Sequence, residues 1–526
     1  MSLEHVTTSK RLIFNTVFNV VALVSNAAVA FFLIRFFLGR LGEQRYGLWV
    51  LIGSLFRYRG IMTMGLNSSI NRYIPMYLAK HNDEGVQRVI STSLFFYLLM
   101  AAACILVSFV IYLNIGSWFA IAPELVTVAG TLVLVVGLCF ALAMPLQLSS
   151  AILAGLQRYD IINVTVLVTL LLRTVLLVVL LLRGYGLLTM GLIFGISEIV
   201  IRAFQLFYVK KLLPEVSVAP TAVDFGLLRE MATYGTNTFL YTMGAIIIFK
   251  ASDLVIGVFL GTSQISQFAI ASAGVLLLSQ LLQAFTGAIK PAVSDLDARQ
   301  DDLRVKEISF LTQKYSLLLI IPSACFLIAM GREFLWVWVG EKFDDPSVID
   351  SLALILTILT VGHSMRLSQY SNFLVLVGRG QHKIFGVLTA VTAAVCVLAS
   401  IISVKVFNWG LVGIAWSNFL PMALTSGLIL PIYFNWKMHI SLLESLHNVW
   451  WPALFGSLPT VAMIILWKYL AAPDSWLEIA GVIVAAAVLT SVSSWFLSMR
   501  KVERRRFVHI VIPTRDGISS DATASG

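Results

Sequence analysis

The sequence predicts an all-α polytopic membrane protein of fourteen transmembrane helices, in two related groups of six followed by two more. Three observations carry this. The 526-residue chain is 59% hydrophobic and 12% charged, with mean hydropathy +0.89; a soluble protein of this length carries roughly twice that charged fraction. Apolar runs long enough to cross a hydrocarbon core recur to the end of the chain. Short identities also repeat between the two halves at one offset.

The N-terminus is polar through Arg11, and the first apolar stretch runs from Leu12 to Leu38. That is too long for a signal-peptide core and no small-x-small cleavage site follows, so it is read as the first span. Spans are expected over 14–38, 46–66, 88–113, 122–147, 160–182, 186–207, 236–260, 266–289, 315–338, 351–377, 384–404, 409–434, 450–470 and 477–499. Orientation follows from Lys and Arg. Of the 37, 23 fall in the loops on one side (counting Arg88 at a boundary), 5 on the other, and 9 within spans. By the positive-inside rule both termini are expected to be cytoplasmic. The +10 net charge therefore calls for no nucleic acid. The basic segment "RKVERRR" (500–506) is expected to lie against anionic headgroups, with the chain beyond about Pro513 disordered.

Residues 208–235, with Pro214 and Pro220, divide the chain after the sixth span. The expected domains are 1–207, this cytoplasmic linker, 236–434, the pair 435–499 and the tail 500–526. Asn15-Thr16 recurs as Asn237-Thr238, "FLG" at 37–39 recurs at 259–261, and Gly65 matches Gly287, all at an offset of 222. "YGL" at 185–187 answers "WGL" at 409–411, and Gln157 answers Gln381, near an offset of 224. Six spans per repeat give both repeats the same orientation, related by an axis along the membrane normal with a cleft between them.

The charges inside spans point to function. Arg35, Arg202, Arg332 and Lys468 are placed near an interface, within reach of snorkelling, and Trp336 and Trp338 anchor the region of Arg332. Counting 1.5 Å per residue puts Arg57 about 16 Å deep, Lys250 about 18 Å, Arg173 about 20 Å and Arg366 about 22 Å. Each costs roughly 2.5–3.5 kcal/mol or more facing lipid, so they are expected to face protein or a wet cavity. Arg59 is intermediate in depth, and it lies about 200° around the helix from Arg57. The acids at comparable depth are Glu198 and Asp253. Lys250 and Asp253 share a helix face and pair in one reading; Glu198 reaches either Arg202 or Arg173. A surplus of positive charge remains, and His363, Arg366 and Gln369 or Tyr370 form a stripe read as a wet wall. Such a lumen suits an anionic cargo, phosphate above all, because the Arg fork donates bidentate bonds. Arg57, Arg59, Lys250, Arg366 and Arg173 are the candidate substrate-binding residues; Asp253 and Glu198 are candidates for charge pairing or ion coupling.

No enzyme is expected. HExxH, GxSxG, the P-loop and Cys/His zinc spacing are all missing from the sequence. Cys104, Cys139, Cys325 and Cys396 lie in apolar segments and read as small buried side chains. No metal or cofactor is called for beyond coupling to a Na⁺ or H⁺ gradient or the membrane potential.

At "LGRLGEQRYGLWVLIGSLFRYRGIMTMGLNSSINRYI" (38–74) the chain resembles the Wzx-type polysaccharide flippase family of the MOP exporter superfamily. The matching elements are Leu41-Gly42, Tyr46-Gly47-Leu48-Trp49, Gly65 and Arg72-Tyr73, with "ILAGLQRYDIINV" (152–164) resembling the family's turn after the fourth helix. The resemblance implies two six-helix bundles in a V, with spans 1, 2, 7 and 8 lining a cleft that holds Arg57, Arg59, Lys250 and Asp253. It implies a transporter that flips a polyprenyl-diphosphate-linked oligosaccharide to the outer leaflet, with polymerase and export machinery as partners. Lipid II flippases share this plan and stand as an alternative, as do cation-coupled small-molecule or multidrug exporters of the same fold. A major-facilitator carrier is disfavoured because the loop after span two lacks a "D-R-x-G-R" pattern. A membrane glycan polymerase is disfavoured because no outer loop exceeds about a dozen residues.

Overall fold

The computed structural model describes residues 3–57, 66–214, 218–287, 289–381, 383–471 and 473–505, with backbone alone at 3–27, 68, 220 and 234–238. The first half comprises α1 (Leu3–Arg57), α2 (Leu66–Ala79), α3 (Asp83–Trp118), α4 (Pro123–Gly155), α5 (Tyr159–Leu182) and α6 (Leu187–Leu212). The second comprises α7 (Phe225–Phe259), α8 (Thr262–Thr286), α9 (Ile289–Ala298), α10 (Asp302–Ala329), α11 (Gly331–Val339), α12 (Ser347–Ser368), α13 (Tyr370–Gly378), α14 (Lys383–Lys405), α15 (Gly410–Leu424) and α16 (Leu430–Lys437). The added pair is α17 (Leu442–Ser445) running into α18 (Trp451–Leu470), then α19 (Trp476–Ser493).

Among the described residues, twelve helical stretches are long and apolar enough to cross a membrane, and they correspond one to one with the third to fourteenth expected spans. The first expected span and the second as far as Arg57 fall on α1, residues 58–65 lying outside the described ones; α1 breaks at Gly42, where φ is +77°. A side chain is strained there and glycine is not. Helical structure trims the expected linker at both ends: α6 continues to Leu212, and α7 starts at Phe225 behind an Asp224 cap whose carboxylate accepts from Leu227 N–H. The ninth expected span does not reach 338; it ends at Ala329, and Arg332 sits on the separate α11, exposed and paired with Asp350. The other charges placed near interfaces are held too: Arg35 by Glu341 at 3.0 Å and Lys468 by the Ala329 carbonyl.

The internal repeat is real in the backbone but its register differs from the sequence identities. The hairpin breaks at Gly42 and Gly261, both with positive φ, lie 219 residues apart. The turns closing α2 and α9 make equivalent bonds, Asn82 N–H to Tyr77 O and Asp301 N–H to Leu296 O, through His81 and Gln300 at positive φ. Asn82 then caps Gly85 as Asp301 caps Arg304, again 219 apart. After α4 and α13 the offset becomes 223, with Arg158 N–H to Leu153 O answering Gln381 N–H to Leu376 O in two Schellman-type turns. The gapless offset of 222 therefore misaligns the first hairpins by three residues: Gly39 matches Val258, not Gly261. Turn geometry, not residue identity, is what both halves keep.

The loops at 80–82, 155–158, 213–214 with 218–224, 299–301 and 379–381 lie at one end, here the basic end; those after Gly42, Trp118, Leu182, Phe259 and Val339 lie at the opposite end. The halves meet at both. At the opposite end α1 packs on α8 so closely that a Cβ on Gly47 would stand 1.7 Å from the Thr262 carbonyl oxygen. Nearby, Ala120 N–H donates to Gly257 O at 2.8 Å, and Glu43 accepts from Ser263 at 2.6 Å and Gln267 at 3.0 Å. At the basic end, Ser69 donates to Met231 O and Tyr73 to Glu230, each at 2.6 Å.

α18 packs on α10, with Gly456 against Leu318, and α19 packs on α18. The start of the tail is tied to the bundle through Glu503. Residues 501–505 form a helical turn against α10, where Glu503 accepts from the buried Lys314 at 2.6 Å and from Tyr315 at 3.2 Å. A buried ammonium needs such a partner, which fixes where the tail lies. Cys104, Cys139 and Cys396 are buried as expected, and none of the four cysteines forms a disulfide among the described residues.

Candidate functional site

The junction of the halves at mid-depth is built from α1 and α7. Ser54 lies two turns beyond the close approach at Gly47, so it faces the second half. Its hydroxyl donates to Asp253 Oδ2 at 2.6 Å, a bond between residues 199 positions apart. The same oxygen accepts from Lys250 Nζ at 3.0 Å, one turn along α7. Asp253 is 1% exposed and the Lys250 side chain 16%, so this is a buried ion pair with its free end toward the basic side. Pairing, one of the two readings open to the sequence, is what the structure adopts.

Arg57 is exposed and follows Ser54 at i+3, which puts it on the same broad face of α1, one turn closer to the basic end. Lys250 occupies the equivalent depth on α7. Arg59 lies outside the described residues.

Arg366 is elsewhere. It sits inside the second half, its guanidinium 4.5 Å from the centre of the Phe249 ring, beside the Tyr241 hydroxyl. His363 stacks on the same ring, with centroids 4.6 Å apart and planes inclined by 19°. The expected polar stripe exists, but it packs against α7 and α14 instead of forming a lumen wall: His363 and Gln369 are buried. Two cavities of about 10 and 20 Å³ adjoin it, each the size of one water molecule. The larger is lined by Lys250, Ser252, His363 and Asn418, and Asn418 donates to Ser252 Oγ at 3.0 Å. A π-turn at Thr425–Ile429, one turn after Pro421, closes the smaller one.

Arg173 and Glu198 lie in the first half, away from the junction. Glu198 pairs with Arg202 at 3.8 Å, and Arg173 stands over Phe194 at 4.4 Å. Thus the structure joins Lys250 and Asp253, sets Arg57 nearby, and separates Arg366, Arg173 and Glu198 from them. Ser54, Ser252 and Asn418 were not singled out by sequence; a serine within a span carries no signal until its partner across the halves is seen. Among the described residues no group of three or more His, Cys, Asp or Glu is arranged to hold a metal.

A helical membrane protein of two related halves, joined at mid-depth by a serine–aspartate hydrogen bond, belongs to a recognisable class of folds. The structure of "Lipid II flippase MurJ, inward closed conformation" superposes with TM-score 0.70 at 15% identity, covering 94% of this chain and 100% of that one. An inward-facing multidrug resistance MATE family transporter of the MOP superfamily matches with TM-score 0.61 at 14% identity, over 81% of this chain and 98% of that chain. A MOP superfamily transporter from Pyrococcus furiosus matches with TM-score 0.59 at 13% identity, over 82% and 96%. The fold is therefore that of the MOP superfamily. The profile of the family described as "Polysaccharide biosynthesis protein" matches residues 44–348. The chain belongs to that family. No curated protein sequence matches it.

Proposed function

We propose that the protein flips a polyprenyl-diphosphate-linked oligosaccharide from the inner to the outer leaflet of the bacterial cytoplasmic membrane by alternating access. The basic end is cytoplasmic in this reading, as are both termini. Membership of a polysaccharide biosynthesis family supports the substrate class, and the MOP fold supports the transport. The observation that carries the reading is the pair of cations, Arg57 and Lys250, at one depth on facing helices beside the Ser54–Asp253 contact.

A diphosphate entering from the cytoplasmic side meets Arg57 and Lys250 together, one from each half. Charge-assisted bonds from these groups replace the hydration the headgroup loses, while the lipid tail stays in the bilayer. Rocking of the halves then turns the site outward. An inside-negative potential assists departure of the anion by about 2.3 kcal/mol per charge per 100 mV. Asp253 is the residue through which Na⁺ or H⁺ would couple, because it is the carboxylate at the junction. Polymerase and export machinery are the partners this role requires.

The test is transfer of a fluorescent lipid-linked diphosphate oligosaccharide in proteoliposomes. Arg57→Gln and Lys250→Gln are expected to slow it severalfold or more, with the double variant slower still. Wild-type rates in both single variants would exclude these residues as the headgroup site.

A further inference from the structure

Away from the junction, at the opposite end, α1, α11 and α19 enclose a pocket of about 650 Å³, within the range of small-molecule sites. Its floor is aromatic. Phe31 stacks on Trp338 with centroids 4.4 Å apart and meets Trp476 edge-on at 5.3 Å. The Trp338 indole N–H donates to the Phe31 carbonyl at 3.2 Å, fixing the ring. The rim is cationic: Arg35, Arg40 and Lys342 all line it. Lys342 is laid along α1 where Gly39 leaves room, since a Cβ there would stand 3.2 Å from the Lys342 Cε. Arg35 is held in place by the Val337 carbonyl at 3.1 Å and by Glu341, whose own side chain is 76% exposed. Among the described residues, neither Arg40 nor Lys342 has an ion-pair partner.

We propose that this pocket binds the diphosphate headgroup of an isoprenoid lipid in the outer leaflet. The phosphates sit among Arg35, Arg40 and Lys342, and the first isoprene units lie on Phe31 and Trp476. The charge decides the ligand class. A phosphodiester lipid brings a single negative charge, which one of these cations would satisfy. A diphosphate ester brings two or three and uses the whole rim, with guanidinium forks suited to bidentate contact. The aromatic floor opens toward lipid through the exposed Phe32 and Trp476, so the chain need not leave the bilayer. The inference rests on the proposed flippase role and orientation, under which the pocket receives the carrier after it has crossed.

The experiment uses the full-length protein in neutral detergent with a photoreactive farnesyl diphosphate analogue and peptide mapping of the label. Label is expected on the peptides holding Phe31–Arg40, Trp338–Lys342 and Trp476. The R40Q/K342Q variant is expected to lower it by roughly tenfold or more. Both side chains are on the rim, and thermal unfolding confirms the fold; should the double variant not fold, Arg40→Gln alone carries the comparison. Competition by unlabelled farnesyl diphosphate, with little from inorganic diphosphate, farnesol or dioleoylphosphatidylglycerol, supports the assignment. Equal competition by inorganic diphosphate makes it a free-anion site, by farnesol an apolar groove, and by the phospholipid a general anionic-lipid surface; each overturns it. Label confined to peptides around Arg57 and Lys250 also overturns it, while leaving the transport role intact. Label here, in a protein that moves no lipid-linked diphosphate in proteoliposomes, supports the pocket and removes the transport role.

Discussion

Replacing Asp253 by Asn removes the charge from the junction while keeping the shape and an oxygen that accepts from Ser54. Lys250, its side chain 16% exposed, then faces a buried site without its partner at 3.0 Å. Removing one member of a buried ion pair costs about 3–5 kcal/mol, because the remaining charge is left uncompensated. The Ser54 bond is a smaller matter of about 0.5–1.5 kcal/mol and is largely retained. Lys250→Gln mirrors the loss, leaving the carboxylate buried with Ser54 alone. In K250Q/D253N neither charge remains, and two amides of similar size face each other. The double variant is expected to recover most of the loss, with a coupling of about 2–4 kcal/mol between the sites. Thermal unfolding in one detergent, followed by intrinsic fluorescence, orders the four proteins: wild type and double variant high, both single variants low. Strictly additive losses would refute the claim that the pair, and not local packing, holds this junction.

Further outcomes follow from other contacts. Gly47→Ala puts a methyl 1.7 Å from a backbone oxygen of α8, so the halves must separate at that end; about 1–3 kcal/mol of stability is lost, and unchanged thermal unfolding would contradict the close approach. Glu503→Gln strands the buried Lys314 and is expected to cost about 3–5 kcal/mol, with K314M/E503Q restoring the melting temperature. Gln157→Gly, at a residue with φ +58°, relieves a left-handed conformation and should stabilise by up to about 1 kcal/mol; a lower melting temperature would show that the Gln side chain matters more than its backbone. Phe249→Leu removes the ring shared by His363 and Arg366 and is expected to destabilise by about 1–3 kcal/mol; no change would mean the ring carries little of that packing.

What the sequence disclosed and what it hid divide along physical lines. Spans are legible because hydrocarbon thickness imposes a length and an apolar composition on each one. The end of the ninth was not: "FLIAMGREFLWVWV" stays apolar across the break at Met330, so hydropathy runs on where the backbone turns. Lys250 and Asp253 were legible as a pair because i and i+3 is a local relation. Ser54 and Asn418 were not, since their partners lie 199 and 166 positions away. The stripe of His363, Arg366 and Gln369 was legible as a face, but a face does not say whether water or a neighbouring helix covers it. Here Phe249 and Tyr241 do. The repeat was visible through identities that prove accidental in register, while the turns that do superpose use different residues, His81 against Gln300 and Gln157 against Gly380.

Both bonds at the junction end on one atom. Asp253 Oδ2 accepts from a side chain of its own helix and from one in the other half. A proton or a metal cation that takes this oxygen weakens the grip of Ser54 and releases the Lys250 charge together. The mid-depth hold between the halves and the partner of the Lys250 charge thus depend on one and the same carboxylate oxygen.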